Sequence, residues 1–273
     1  MNTAAPAAPA LLLFAATVAA AILSMVPFAA RGSRPDADVQ GKGAHFIGGW
    51  GDFLLHWFMW AISPLVRLSL RLGLSPDFYN YAGLALGLFS GVFIAAGRLE
   101  LGGWAIILGG VCDVLDGRIA RLTNVASDYG DFIDSTFDRF VEAFIFVGFV
   151  VFLRDTTYGA FLAAAALAAS FCVSYARARG EVLGINCSGG LMQRGERLLL
   201  TILACFLDGY ASARLGWRRG TLAQGALAVL AVTSILTTVH RTIWIGRRLR
   251  QRAAGPVTWM DERRPPASAS GNR

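Results

Sequence analysis

The sequence predicts an all-α integral membrane protein, in which a bundle of six transmembrane helices follows a cytoplasmic juxtamembrane amphipathic helix and an extra N-terminal transmembrane helix. Of the 273 residues, 55% are hydrophobic and 16% are charged, and the mean hydropathy is +0.52. Soluble domains carry about 25% charged residues. The apolar residues fall in runs of about 20, the length that crosses a bilayer as a helix. This composition excludes disordered chains, coiled coils and secreted disulfide scaffolds.

The first apolar run, 11–30, predicts the extra N-terminal transmembrane helix. No basic residue precedes it, so it lacks the charged start of a signal peptide, whereas Arg31, Arg34 and Lys42 follow it. Because basic residues favour the cytoplasmic side, we expect this helix to begin outside and to end in the cytoplasm. Residues 1–46 are therefore expected to comprise the helix and a polar linker.

The second run, 53–72, differs in kind from the first. Aromatic side chains crowd it, Arg67 and Arg71 interrupt it, and Pro64 lies inside it. Aromatic-rich helices that carry arginines favour the headgroup layer of the membrane. We expect this segment to lie along the cytoplasmic surface.

Six further apolar runs predict the transmembrane bundle, and they cover residues 78–97, 101–121, 132–153, 158–178, 196–213 and 221–245. In the first of these runs Gly83, Gly87 and Gly91 recur at every fourth position, which is expected to let a neighbouring helix approach closely. The bundle and the surface helix form one domain, expected at 47–250. The remaining residues, 251–273, are polar and contain prolines, which predicts a disordered cytoplasmic tail.

The distribution of basic residues predicts the orientation of the bundle. With both ends of the six-helix unit inside, the cytoplasmic segments hold 19 of the 25 Lys and Arg, the outer loops hold five, and Arg139 lies within a helix. Since Lys and Arg favour cytoplasmic loops, we expect a multi-pass protein of the cell (inner) membrane. Short basic loops between apolar runs also indicate an anionic lipid surface as the partner, and no nucleic acid.

Four carboxylates lie where lipid disfavours them. Asp113 and Asp116 are three residues apart near the end of one run, and Asp134 and Asp138 are four residues apart at the start of the next. These spacings put side chains on one helix face, so two antiparallel helices with a short connection bring the pairs together. An ionised carboxylate at membrane depth costs at least about 2.5 kcal/mol. A divalent cation offsets this cost, and oxygen ligands favour Mg²⁺ or Mn²⁺ over zinc.

The alternative is that the four aspartates only pair with nearby arginines, namely Arg118, Arg121 and Arg139. Four acids at helical spacing favour the metal site over this structural interpretation. Gly117 directly follows Asp116 and allows close approach to the backbone, and the planar fork of Arg121 suits a phosphate group. Carboxylates, metal and phosphate together indicate phosphoryl-group chemistry at the membrane surface.

The residues around these acids follow a pattern with fixed gaps: Asp113-x2-Asp116-Gly117-x2-Ala120-Arg121-x8-Gly130-x3-Asp134-x3-Asp138. Every gap resembles the signature of the CDP-alcohol phosphatidyltransferase family. The six-helix layout and the preceding surface helix are also similar to that family, over roughly residues 50–250. The helix at 11–30 is outside the resemblance.

The resemblance implies a transferase that moves the phosphatidyl group of CDP-diacylglycerol to the hydroxyl of a small polar alcohol and releases CMP. It implies two metal ions, Mg²⁺ or Mn²⁺, held by Asp113, Asp116, Asp134 and Asp138. In the family the residue at the position of Asp138 is also the base that takes the proton of the acceptor hydroxyl. A homodimer with its active site facing the cytoplasm is implied as well.

The resemblance also implies contacts to the cytidine diphosphate, from Asp77, Asn80, Gly117, Arg121 and Ser127. The first two belong to a turn that the family writes Pro-Asn/Asp-x-x-Thr, and Asn80 replaces the usual Thr here.

The acceptor is indicated by two further segments. Residues 174–184 resemble the S-Y-x-K/R-A-R-A-E-x-x-G stretch of the branch that makes phosphatidylinositol phosphate or its archaeal counterpart, and 193–198 resemble its E-R-P-E-R-L. The resemblance implies a basic pocket for the phosphate of inositol phosphate, formed by Arg177, Arg179 and Arg197. Departures from the branch pattern at Gly180, Gln193 and Gly195 leave glycerol phosphate, inositol and serine open as acceptors.

A cation transporter with intramembrane carboxylates is the alternative from a different functional class. Such transporters usually show inverted repeats or paired broken helices, and the sequence has no visible internal repeat. The acids also lie at predicted helix ends rather than near the middle of the membrane. Both observations favour the transferase.

Overall fold

The computed structural model describes residues 8–30, 51–187, 189–190 and 192–253. This part of the chain is all helical. Its eight helices are α1 (Ala8–Ala30), α2 (Gly51–Leu72), α3 (Pro76–Ala95), α4 (Leu99–Leu122), α5 (Asp128–Phe152), α6 (Gly159–Val182), α7 (Arg194–Leu215) and α8 (Thr221–Ala253). Their number and order confirm the predicted fold class, an integral membrane helical bundle.

Two predicted boundaries need comment. The polar linker at 31–46 lies outside the described residues, as does the predicted tail from residue 254 onward. Residues 251–253 are helical and belong to α8, which extends eight residues beyond the predicted apolar run at 221–245. This extension is rich in arginine, so hydropathy alone ended the helix too early.

Six of the described helices are long and apolar enough to cross a membrane: α1, α2, α3, α6, α7 and α8. The helices α4 and α5 fall short of this criterion because they carry the acidic and basic residues of the candidate site. They are nevertheless packed inside the bundle, since α3 packs along both of them and α7 packs against α4. The surface position of α2 stays a prediction, because α2 also meets the criterion for a spanning helix.

The main apolar core joins helices from both the first and the second part of the bundle. Ile94, Ile145, Phe149, Leu153 and Leu230 are almost fully buried in one cluster that connects α3, α5 and α8. A second cluster attaches α2 to α3 and α4.

The extra helix α1 lies at the periphery, with most of its surface exposed. Phe14 stacks on Phe206 of α7 with ring centroids 4.0 Å apart. Trp57 Nε1 of α2 donates a hydrogen bond to Ser24 Oγ at 2.9 Å.

The repeated glycines of α3 allow the close approach that the sequence predicted. A Cβ atom at Gly87 would lie 2.6 Å from Val141 Cγ2 of α5, and one at Gly91 would overlap the carbonyl oxygen of Phe144. Gly148 of α5 faces Gly91 from the other side. The backbones of α3 and α5 therefore touch in the second half of both helices.

We expect Gly91→Ala to destabilise the protein by about 1–3 kcal/mol, the usual range for overpacking a tight contact. The added methyl group meets backbone, which cannot move aside as a side chain can. Thermal unfolding in detergent measures the effect. The matched control is Gly225→Ala in α8, where a Cβ meets nothing within 4 Å, so stability there should stay equal or rise slightly. Equal stability of both variants would contradict the proposed role of Gly91.

Candidate active site

The helical hairpin of α4 and α5 builds the site. The connection between Leu122 and Asp128 has only five residues. Ser127 caps α5, since its Oγ accepts a hydrogen bond from the backbone N–H of Gly130 at 3.2 Å. Such a short connection places the start of α5 close to the end of α4. The four predicted aspartates lie on these two adjoining ends.

Three of the four aspartates converge. One carboxylate oxygen from each of Asp113, Asp134 and Asp138 lies within 4.8 Å of the other two. The side chain of Asp138 is more enclosed than that of Asp113: 13% of it is exposed, against 28% for Asp113. Carboxylates this close repel each other unless a cation lies among them.

Asp116 completes the acidic group from one turn further along α4. It is 5% exposed, and its Oδ1 accepts a hydrogen bond from the backbone N–H of Gly117. Within the described part of the chain, its Oδ2 is buried with no hydrogen-bond partner. A buried carboxylate oxygen without a donor is costly. Together with the three converging carboxylates, it fits an all-oxygen site for divalent ions.

A cleft opens in front of these acids, between α3, α4, α5 and the start of α7. All four aspartates line it, together with Asn80 and Phe137. Asn80 lies on the buried face of α3. Asp77 lies one turn earlier in α3, exposed, and does not line the cleft.

The other predicted nucleotide residues lie around the hairpin. The Arg121 guanidinium folds back over Gly117, so that a Cβ at Gly117 would lie 3.2 Å from Arg121 Nη1. Arg121 is otherwise exposed. The observed contact of Ser127 is the helix cap of α5. These three residues lie at the end of α4 and at the start of α5.

Arg194, the first residue of α7, binds the acidic group directly. Its Nη1 donates to both carboxylate oxygens of Asp113, at 3.0 and 3.2 Å, and its Nη2 forms an ion pair with Asp138 Oδ1. Arg194 belongs to the segment 193–198, in which only Arg197 was expected to have a role. Its contacts join residues far apart in the chain, so no local spacing identified it.

Arg197 lies in a buried polar network around Glu142, which is one turn beyond Asp138 in α5. It is 2% exposed, and its Nε and Nη2 donate to Glu142 Oε1 at 3.1 and 2.6 Å. Arg139 Nη1 donates to Glu142 Oε2 at 2.7 Å and also to Ser174 Oγ. One buried carboxylate thus holds two guanidinium groups in place.

The other two predicted acceptor residues are exposed at the end of α6. Arg177 Nε donates to Glu181 Oε1 at 2.8 Å, so Arg177 and Arg197 pair with different glutamates. The structure does not join them in one hydrogen-bonded cluster within the described residues.

Arg241 of α8 is a second basic residue near the site that was not among the predicted site residues. It is 4% exposed, and it donates to the carbonyl oxygens of Gly189 and Val173 at 3.0 Å each. It lies within electrostatic range of both Arg177 and Arg197. An arginine inside the predicted apolar run 221–245 was a signal of the same kind as the intramembrane aspartates.

Comparison with known proteins agrees with this geometry. The family model for CDP-alcohol phosphatidyltransferase matches residues 74–239. The archaetidylinositol phosphate synthase of Methanothermobacter thermautotrophicus is 33% identical over 192 residues, which cover 68% of this chain and 93% of that protein. The phosphatidylinositol phosphate synthase of Cutibacterium acnes is 30% identical over 211 residues, with coverages of 74% and 97%.

Solved structures with the same fold come from the phosphatidylinositol phosphate synthase of Mycobacterium tuberculosis. The crystal structure of that enzyme with CDP-DAG bound is 25% identical, with a TM-score of 0.59 and coverages of 67% and 92%. Its complex with manganese and citrate gives a TM-score of 0.61 at the same identity, with coverages of 67% and 88%. The family model matches more than half of the residues of this chain. The chain therefore belongs to the CDP-alcohol phosphatidyltransferase family.

Proposed function

We propose that this protein transfers the phosphatidyl group of CDP-diacylglycerol to a hydroxyl of inositol phosphate and releases CMP. The observation that carries the transferase chemistry is the convergence of three carboxylates within 4.8 Å beside the unpartnered oxygen of Asp116. Inositol phosphate is favoured as the acceptor because the relatives at 30–33% identity are synthases of inositol phosphate lipids. Glycerol phosphate, inositol and serine are the competing acceptors.

In this proposal two divalent ions, Mg²⁺ or Mn²⁺, are held by Asp113, Asp116, Asp134 and Asp138. When bound, they neutralise the diphosphate of the CDP-lipid and stabilise the charge that develops on the departing CMP. The carboxylate-only donor set supports this assignment. A manganese complex is known for the similar enzyme of Mycobacterium tuberculosis.

Asp138 is proposed as the general base. Its carboxylate takes the proton of the acceptor hydroxyl, and the hydroxyl oxygen bonds to the phosphorus that carries diacylglycerol. The bond between this phosphorus and the oxygen bridging to CMP breaks, and CMP leaves with the bonding electron pair. The partial exposure of Asp138 at the cleft supports access by a hydroxyl group, and general-base help contributes about 10²–10⁴-fold in rate.

The nucleotide is proposed to lie over the end of α4 and the start of α3. Gly117 lets the diphosphate approach the backbone, and Arg121 beside it offers a planar fork for a phosphate. Asn80 in the cleft supports this position. Asp77 and Ser127 are proposed to complete the contacts to the cytidine diphosphate.

The acceptor phosphate is proposed to bind near Arg177, Arg179 and Arg197, at the end of α6 and the start of α7. The network around Glu142 holds Arg197 rigidly, and two arginines on one glutamate leave a net positive charge there. Such a charge favours an anionic acceptor over serine or free inositol. Arg241 adds to the same positive field.

The protein is proposed to be a homodimer of the inner membrane with its site facing the cytoplasm. The excess of Lys and Arg on one side of the bundle supports this orientation, and a water-soluble acceptor has to reach the site from that side. The family match at 74–239 lies inside the domain proposed at 47–250. The helix α1 stands outside this domain.

Purified protein in detergent should release CMP from CDP-diacylglycerol when inositol phosphate is supplied, and EDTA should abolish this release because the site needs divalent ions. The measurement is CMP formation with a panel of radiolabelled acceptors: inositol phosphate, inositol, glycerol phosphate and serine. Activity with an uncharged alcohol and none with inositol phosphate would reject the proposed acceptor. No CMP release with any acceptor would reject the transferase.

Asp138→Asn should keep the fold and the binding of CDP-diacylglycerol but reduce turnover by at least about 10²-fold. The amide keeps the size of the side chain and one acceptor oxygen but cannot take a proton. The matched control is Asp131→Asn, two turns earlier on the same helix and exposed, which should retain nearly full rate. If Asp138→Asn kept more than about a tenth of the wild-type rate, the base would have to be another residue.

Arg197→Ala should raise the apparent KM for inositol phosphate about tenfold to a hundredfold, the range for a lost charged hydrogen bond, with little change in the KM for CDP-diacylglycerol. Arg197→Lys should recover only part, because an ammonium group lacks the planar fork.

Arg197 also supports buried Glu142, so its loss can destabilise the fold. Arg179→Ala is therefore the second test, since Arg179 is exposed, and it should raise the same KM. Arg154→Ala, exposed on the connection between α5 and α6, is the control for a lost charge elsewhere. Equal changes in both KM values would argue against an acceptor pocket.

A further inference from the structure

Arg194 occupies the space that the proposed metal site needs. Its two terminal nitrogens reach both oxygens of Asp113 and one oxygen of Asp138. Two of the three converging carboxylates are thereby used by one guanidinium group. A divalent ion ligated by the same oxygens would lie against this positive charge, so the two cations exclude each other.

The surroundings of Arg194 indicate that this position is not permanent. Its Nε is buried and has no hydrogen-bond partner among the described residues, so the guanidinium is only partly satisfied. It is 28% exposed, whereas Arg197, one turn later, is nearly fully buried on Glu142. The next residue, Gly195, has open space around its Cβ position. The arginine is thus held by the acids alone, at the first turn of α7.

We propose that Arg194 is an exchangeable counter-ion of the aspartate site, an inference that rests on the proposed function. Without divalent ions, its guanidinium bridges Asp113 and Asp138 and offsets their repulsion. Ion binding displaces it from these carboxylates. Because Arg194 also lines the cleft, the released guanidinium faces the space where an anionic diphosphate binds.

Two consequences follow for ion binding. The intramolecular cation competes with the ion, so the intrinsic affinity of the carboxylates is higher than the affinity measured in the wild type. An anion in the cleft gives the displaced guanidinium a new partner, so the CDP-lipid and the metal ions favour each other's binding. Arg194 would then link ion loading to substrate loading without being a ligand of the ions.

The test measures Mn²⁺ affinity on the purified full chain in detergent, from the electron paramagnetic resonance signal of free Mn²⁺, with no substrate present. Arg194→Gln should bind Mn²⁺ at least about tenfold more tightly than the wild type, because the competing charged hydrogen bonds are gone. Arg194→Lys should lie between the two, since an ammonium keeps the charge but cannot bridge two carboxylates.

Two controls define the site that is measured. Arg154→Gln removes the same charge at an exposed position on the α5–α6 connection and should leave Mn²⁺ affinity unchanged. Asp116→Ala should weaken Mn²⁺ binding strongly. Thermal unfolding gives a second readout: in EDTA, Arg194→Gln should melt below the wild type, and saturating Mn²⁺ should raise its melting temperature by more.

The outcomes separate the hypotheses. Weaker or unchanged Mn²⁺ binding in Arg194→Gln would overturn the exchange, and the first of these results would make Arg194 a support of the metal-bound site. Wild-type affinity in Arg194→Lys would overturn the bridging of two carboxylates, because a charge without the planar fork would then compete equally well. If the wild type bound no Mn²⁺, or Asp116→Ala bound it equally well, the metal site itself would fall and the exchange with it.

Discussion

The repulsion among carboxylates in a poorly solvated place is the constraint on which the rest of the site depends. One carboxylate oxygen from each of Asp113, Asp134 and Asp138 lies within 4.8 Å of the other two. Because these side chains are at least partly buried, water screens their charges only in part. The neighbouring cations compensate this charge: Arg194 pairs with Asp113 and Asp138, and Arg139 lies 3.9 Å from Asp138. Asp116 Oδ2 is buried without a hydrogen-bond donor among the described residues. The site is therefore built to attract one more kind of positive charge.

Helix packing makes this concentration of charge possible. The glycines of α3 let its backbone touch α5 near Gly91, and α3 packs along both acidic helices, α4 and α5. Glycine at such a contact removes the side-chain volume that would hold the helices apart. The cleft then has α3 as its third wall, with Asn80 facing the acids. Apolar packing far from the acids therefore determines the distances between them.

The sequence was sufficient for whatever depends on local spacing. Apolar runs identified eight helices in order, and intervals of three and four residues predicted that the aspartates would converge. It was insufficient for contacts between distant segments: Arg194 meets Asp113 across 81 residues, and Arg197 meets Glu142 across 55. Neither partner can be chosen from periodicity, because several arginines at helix ends were equally suitable. Arg241 differs, since a lone arginine within an apolar run was itself a visible signal.

The two arginines in the first turn of α7, Arg194 and Arg197, have two different electrostatic roles. An anionic acceptor has to approach Asp138, a carboxylate that would repel it. Arg194 cannot offset this repulsion once ion binding has displaced it. The positive charge that faces the acceptor therefore has to be held in place by other contacts. Arg197 and Arg139 share one buried Glu142, so two guanidinium groups face one carboxylate in this network, one turn from the base, and Arg139 also lies near Asp138. Arg194, three residues earlier, pairs with Asp113 and Asp138, which are also proposed to bind the metal ions. The first turn of α7 thus combines a permanent charge with a removable one.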